Sequence, residues 1–248
     1  MNRVFSIIFA SLLAVMSASA QVGEHRSVFS IGGNAGYALS NLSFAPAKVT
    51  QGYHGGSTFG FSMRYTSEKY FSTICSVAAE VNFVQLGWKE KILTVNDKPV
   101  LLNGTETPMA YQRNMNYVQV PLMAHLAWGR ETKGVNGFIN LGPQFGVNIG
   151  ESTEANFNIH DTDAYQLADR ACKTIAQDTM AVENKFDYGI VAGAGVEYSH
   201  PKLGHFILEG RYYYGLGNIY GDTKRDYFGR SNFGNIVIKA TYLFDLFK

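Results

Sequence analysis

From Ser27 to Phe247 the chain repeats one arrangement, a stretch of alternating apolar and polar side chains followed by a polar link, and eight such stretches can be marked. Ser27 to Ala38 sets Phe29, Ile31, Ala35 and Tyr37 against Ser30, Gly32, Asn34 and Gly36. Ser57 to Thr66 sets Phe59, Phe61, Met63 and Tyr65 against Thr58, Gly60, Ser62 and Arg64. Thr73 to Lys89 sets Val77, Ala79, Val81 and Phe83 against Glu80 and Asn82. In Tyr111 to Trp128, Val118, Val120, Leu122, Ala124, Leu126 and Trp128 oppose Gln119, Pro121, Met123 and His125. The cleanest stretch is Gly137 to Gly150, where Ile139, Leu141, Pro143, Phe145, Val147 and Ile149 alternate with Asn140, Gly142, Gln144, Gly146 and Asn148. Asn184 to Tyr198, Gly204 to Gly217 and Phe233 to Phe247 follow, with Asp187 and Glu197, then Glu209 and Arg211, then Asn235 and Lys239 on their polar faces.

A period of two marks strands with one apolar and one polar face. A soluble barrel or sandwich turns the apolar face inward, and a membrane barrel turns it outward. The polar faces decide between them. They carry Gly, Asn and Ser rather than the Lys and Glu of a solvated surface. The predicted fold is therefore all-β, a single antiparallel up-and-down transmembrane β-barrel of about eight strands. Its predicted lumen-facing polar network is Arg64, Glu80, His125, Asp187, Glu197, Glu209, Arg211 and Lys239. Their signs nearly balance, as charges held out of bulk water must pair. This network is read as structural. Glu209 and Lys239 come close to level if the last hairpin pairs as its length implies, which predicts an inward ion pair.

Link lengths point the same way. Long links (40–56, 91–109, 151–183 and 219–232) alternate with short ones (67–72, 129–136 and 199–203). Membrane barrels have long extracellular loops and short periplasmic turns. Tyr65, Trp88, Tyr117, Trp128, Tyr198, Tyr220 and Tyr227 are the aromatics expected in the two interfacial girdles.

The N-terminus sets the compartment. Arg3, the apolar run Val4 to Met16 and the small residues Ser17 to Ala20 predict a signal peptide over 1–20, with Gln21 starting a barrel domain over 21–248. The expected location is the cell outer membrane. The expected partners are the lipid bilayer, the periplasmic chaperone and barrel-insertion machinery, and a protein docking at the long loop Glu151 to Glu183. Composition agrees: 26 Gly, 6 Pro, 14% aromatic and only 17% charged residues. A net charge of +1 gives no case for nucleic-acid binding. The two cysteines, Cys75 and Cys172, are too few for a disulfide scaffold and are predicted on opposite sides of the bilayer, unbridged.

Catalytic motifs do not emerge. There is no Gly-x-Ser-x-Gly elbow, and Gly193-Ala194-Gly195 is a fragment of a dinucleotide loop with no helix behind it. His160, Asp161 and Asp163 in the longest loop are the nearest thing to a rim catalytic or metal cluster, and they read as a hydrated loop. No catalytic residue, cofactor or metal site is assigned. The segment 163–181 has the spacing of a short helix, either a lid, plug or docking element or a surface excursion.

Asn116-Tyr117-Val118-Gln119-Val120-Pro121-Leu122, Asn140-Leu141-Gly142-Pro143, Phe186-Asp187-Tyr188-Gly189 running into Gly193-Ala194-Gly195-Val196-Glu197-Tyr198, and Arg211-Tyr212-Tyr213-Tyr214-Gly215-Leu216-Gly217-Asn218-Ile219 carry a family resemblance. In this order and spacing they resemble the PorT-like outer-membrane barrels, the "porin family" of Bacteroidetes. The closing Tyr242-Leu243-Phe244 resembles the aromatic-ended last strand that such barrels use for insertion. Members often carry an acidic residue where Gln119 stands. The resemblance implies the fold and the location, and no single activity. The reading that results is an integral outer-membrane barrel with a structural or interaction role. The alternatives are a narrow transporter or small-ligand-binding barrel and, less favoured, a rim enzyme.

Overall fold

The computed structural model describes residues 24–45, 51–94, 96–102, 105–130, 133–157, 181–221 and 230–247. Eight long strands form a ring: β1 (Glu24–Ala45), β3 (His54–Tyr70), β4 (Thr73–Lys91), β5 (Ala110–Gly129), β6 (Gly134–Ala155), β7 (Phe186–His200), β8 (Gly204–Gly215) and β9 (Arg230–Phe247). A two-residue strand, β2 (Gln51–Gly52), adds to the end of β4. Every pairing is antiparallel, the eight long strands pair in their order along the chain, and β1 with β9 joins the ends to close the ring. Closure leaves no long unpaired edge, which a barrel requires if it is to sit in lipid.

Alternation holds along most of each strand, with register shifts at His25/Val28 on β1, Thr66/Glu68 on β3 and opposite Asn116/Tyr117 on β6. What changes is which kind of side chain faces inward. On β5, Leu122, Ala124 and Trp128 are exposed on the outside while Gln119, Met123 and His125 are buried inside. On β6, the outward Ile139 to Ile149 run spans eleven residues, the length needed to cross the hydrocarbon core. The exposed large apolar side chains, Phe61, Leu141, Leu208 and Ile238 among them, form a belt round the barrel. Exposing so many would be untenable in water.

Towards the long links the strands run past this belt and the pattern inverts. Leu42 and Phe44 on β1, Val84, Leu86 and Trp88 on β4, and Tyr111, Met115 and Tyr117 on β5 are buried inside. Asn41, Ser43, Lys89, Gln112, Asn114, Ser152 and Glu154 face out. This end is built like an ordinary water-soluble barrel. Residues beyond the strands join its core: Ile92, Val100, Met109, Val182, Ile219 and Tyr220 belong to the same apolar cluster. Trp88 is the hub, edge-on to Phe44 at 5.2 Å and tilted against Tyr111 at 5.5 Å between ring centroids.

Three girdle expectations are therefore corrected. Trp88, Tyr117 and Tyr220 are fully buried inside the barrel, because the interior at their height is apolar. Tyr65, Trp128 and Tyr198 do face outward, and Tyr227 lies outside the described residues.

The short links are tight. The two residues 71 and 72 join β3 to β4 with Phe71 in the left-handed region, φ 53°, a conformation that costs a non-glycine residue about 1 kcal/mol. At the β7–β8 turn Gly204 takes φ +83°, and a Cβ there would lie 2.2 Å from the Leu243 carbonyl oxygen. The predicted signal peptide, the predicted helical segment 163–181 save Ala181, the trio His160, Asp161 and Asp163, and Cys172 lie outside the described residues. Cys75 is a free, half-buried cysteine near the start of β4.

Candidate functional site

The interior has three storeys, stacked from the short turns towards the long links. Inward parity on each strand selects its members.

The middle storey is an ion-pair lattice. Arg211 on β8 donates from Nη1 and Nη2 to both oxygens of Glu80 on β4, at 3.0 and 3.1 Å, across the lumen. It also donates from Nε and Nη2 to Glu209, at 3.0 and 2.8 Å. The Lys239 ammonium meets Glu80 Oε1 at 2.5 Å. Asn140 donates to Glu209 at 2.9 Å, Asn82 to Glu80 at 2.8 Å, and Asn34 to Asn82 at 2.8 Å. Two carboxylates face one guanidinium and one ammonium, so the layer is neutral. A planar guanidinium that forks two carboxylates is the arrangement in which a buried charge is best compensated. Glu209 and Lys239 stand directly opposite in register, as expected. The lysine nonetheless turns across the lumen to Glu80, and Arg211 serves Glu209.

The storey at the turn side centres on Glu197. Arg64 grips it with two bonds, 2.6 and 3.0 Å. His205 Nδ1 approaches its other face at 2.7 Å, and the Ser199 hydroxyl donates to it at 3.1 Å. His205 Nε2 lies 3.0 Å from Asp245, which also accepts from Ser30 at 2.7 Å. His125 links this storey to the middle one. Because Asn140 spends its amide on Glu209, its Oδ1 is the acceptor, and His125 Nδ1 donates to it at 2.8 Å. That fixes a neutral His125 as the Nδ1–H tautomer, with Nε2 receiving Arg64 at 3.5 Å. Around this storey a cavity of about 370 Å³ opens to the turn side, lined by Arg64, His125, Asn136, Glu197, His200 and His205 among others. Further in, beside Glu80, His125 and Glu209, lies a void of about 20 Å³, room for about one water molecule.

The upper storey is the apolar cluster around Trp88. Asp187 enters it from β7, almost fully buried, and accepts from the Tyr213 hydroxyl at 2.7 Å. Above it Arg113 pairs with Glu151 at 2.6 Å and lies over the Tyr220 ring. Burial pushes the Tyr220 phenol up to about 12, with the Arg113 charge pulling the other way. The partner of the guanidinium at physiological pH is thus the Glu151 carboxylate.

All eight side chains of the predicted network are buried in the interior. Seven of them, Arg64, Glu80, His125, Glu197, Glu209, Arg211 and Lys239, are joined through hydrogen bonds, and Asp187 stands apart. Sequence reasoning missed Asp245, His205, Ser30 and Ser199 in the turn-side storey, and Arg113 and Glu151 at the top. Parity could have found Asp245 and His205, since each continues an inward series through Lys239 or Glu209. Among the described residues no group of three or more His, Cys, Asp or Glu side chains is arranged to hold a metal.

A family model described as "Outer membrane protein beta-barrel domain" matches residues 19–221. None of the curated proteins matches the chain. Solved structures similar in fold include Ail, the attachment invasion locus protein of Yersinia pestis (14% identity, 89% of this chain and 99% of that one, TM-score 0.34). Others are OprG from Pseudomonas aeruginosa (12%, 90% and 98%, TM-score 0.43) and Neisserial surface protein A (12%, 86% and 96%, TM-score 0.39).

Proposed function

The chain belongs to the family of outer membrane protein β-barrel domains, and from that premise we propose that it serves as a closed, non-conducting barrel whose long links form a protein-docking surface. The supporting observation is an interior occupied by side chains in its middle and upper storeys, the Arg211 lattice and the cluster around Trp88. A ring of eight strands encloses a space that side chains can fill, and here the Arg211–Glu80 pair reaches across it. The long links face the cell exterior, and the short turns and both termini face the periplasm. Residues 1–20 are the signal peptide that directs export, the PorT-like resemblance gives the family branch, and chaperone and insertion machinery assist assembly. The role in this reading is structural rather than enzymatic.

Reconstitution in planar lipid bilayers tests the reading. Protein that migrates faster unboiled than boiled on a gel, the mark of a folded barrel, should give no stable conductance steps. Regular steps from such protein would overturn it in favour of a narrow transporter. Mature protein isolated from outer membranes should begin at Gln21.

A further inference from the structure

At the loop side, the end of β6 has an edge that no strand pairs among the described residues. β7 pairs with β6 only as far as Phe186 opposite Val147, and one further bond runs from the Asn148 N–H to the Lys185 carbonyl at 2.7 Å. Above it, Glu183 and Asn184 turn their N–H groups to the Ile219 carbonyl, on the side away from β6, at 3.1 and 3.0 Å. β6 nonetheless runs on to Ala155, where its partner is β5. In an antiparallel ladder, successive residues point their N–H and C=O groups to opposite sides. The Asn156 N–H donates to the Ala110 carbonyl at the start of β5, at 3.3 Å. The backbone groups of Ser152 and Glu154 therefore face β5, and those of Glu151, Thr153 and Ala155 face away from it. Nothing among the described residues pairs with these N–H and C=O groups. The stretch lies beyond the belt, in water, with Glu151 exposed and Thr153 and Ala155 half-buried. Other strand ends at this side are covered: β2 pairs with the end of β4, and the Ile219 N–H donates to the Ser231 carbonyl of β9. An unpaired edge is a template for another strand unless Pro, charge or cover blocks it. This one has no Pro, and its outward row is Ser152 and Glu154. Glu154 accepts from the Asn114 amide at 2.8 Å and pairs with no cation among the described residues.

We propose that the Glu151–Ala155 edge takes an extended segment of a partner protein as an added strand, basic on the face that lies beside Glu154, which rests on the reading of the long-link end as a docking surface. Main-chain hydrogen bonds give such an addition its affinity, and alternate side chains give its selectivity. A lysine or arginine beside Glu154 completes an opposite-charge cross-strand pair on the outer face.

The probe is a fluorescent peptide of about nine residues, alternating threonine and lysine so that the lysines share one face of a strand. It is titrated against the mature barrel in non-ionic detergent micelles at about 0.15 M salt, which screens loose charge attraction, and read by anisotropy. Binding should saturate at one peptide per barrel. The same peptide N-methylated at every residue keeps its charges and loses its donors, and should bind at least about tenfold more weakly. Thr153→Pro removes an N–H that β5 does not use, a change that edge strands tolerate. It should weaken the peptide at least about tenfold, while the shift between unboiled and boiled samples shows the barrel still closed. Glu154→Gln should weaken it about two- to fivefold, the worth of one cross-strand pair. The proposal is overturned by the absence of saturable binding in protein that shows the shift, by an N-methylated peptide that binds as tightly, or by undiminished binding to either variant. Barrels that bind no peptide but pair with one another, and lose that pairing in Thr153→Pro, would overturn it in favour of a second copy. A barrel that binds the peptide in this way yet conducts in planar bilayers keeps the added strand and sinks the closed-barrel reading, and a silent barrel that binds no peptide does the reverse.

Discussion

Two parts of a single strand, β5, solve opposite problems. From Val118 to Trp128 it turns Leu122, Ala124 and Trp128 outward and Gln119, Met123 and His125 inward. From Tyr111 to Tyr117 it turns Gln112, Asn114 and Asn116 outward and Tyr111, Met115 and Tyr117 inward. The alternation does not slip by a residue at the junction, but the solvent outside does change. The belt faces hydrocarbon, so its polar groups must be satisfied within. The extension faces water, so its apolar groups collect within. The one strand thus carries two cores, one held by paired charges and one by aromatic packing, although its pairing with β6 shifts by a residue between Asn116 and Tyr117.

The largest expected effect comes from unbalancing the charged core. Arg211→Ala leaves Glu209 without its guanidinium and Glu80 with Lys239 alone, and should destabilise the barrel by about 3–5 kcal/mol. Urea unfolding in detergent micelles, followed by the gel shift, would read it. A cost near zero would mean that the lattice is filler and not a core. Next is Trp88→Ala in the aromatic core, expected to cost about 3 kcal/mol. Its signature differs, because Ile92, Val100 and Met109 of the β4–β5 link pack in the same cluster. A glutamate-specific protease should cut faster after the exposed Glu106 while the belt keeps its gel shift. Loss of the shift with no change in cleavage would erase the distinction between the two cores.

Arginine placed on the outside separates the two solvents directly. Leu122→Arg, on the belt, should cost about 2–4 kcal/mol. The smallest effect is Ser152→Arg, on the outward face of the extension, expected within about 0.5 kcal/mol. Equal costs at the two positions would place them in the same solvent.

The strands were legible because a period of two survives any solvent. Every stretch marked in the sequence lies largely within an observed strand, and all the long strands but β7 and β8 run further at the loop side, where Leu42, Phe44 and Trp88 no longer match an apolar-outward reading. Trp88 shows why the girdle assignment failed. It shares parity with Glu80 and Asn82, which alone would have placed it inside, but apolar character was taken as the sign of the outer face. The charged core was legible as a set of residues and not as a set of partners. Local pairing leads from Lys239 to Glu209, whereas Glu80 reaches the same point from across the lumen. Contacts across a closed ring leave no trace in the spacing of a hairpin.

The lattice also has a consequence in time. Glu80 lies 131 residues from Arg211 and 159 from Lys239 along the chain, on strands that share no hydrogen-bonded edge. Among the eight long strands, every pair except β1 with β9 can form between strands consecutive along the chain. These ion pairs bring β4 face to face with β8 and β9, and only the nearly complete cylinder does that. Contacts of such separation come late in folding. Until then the chain carries unpaired charges on the face that will become its interior, a reason for it to stay at the membrane surface, in water, and to cross only as the cylinder shuts.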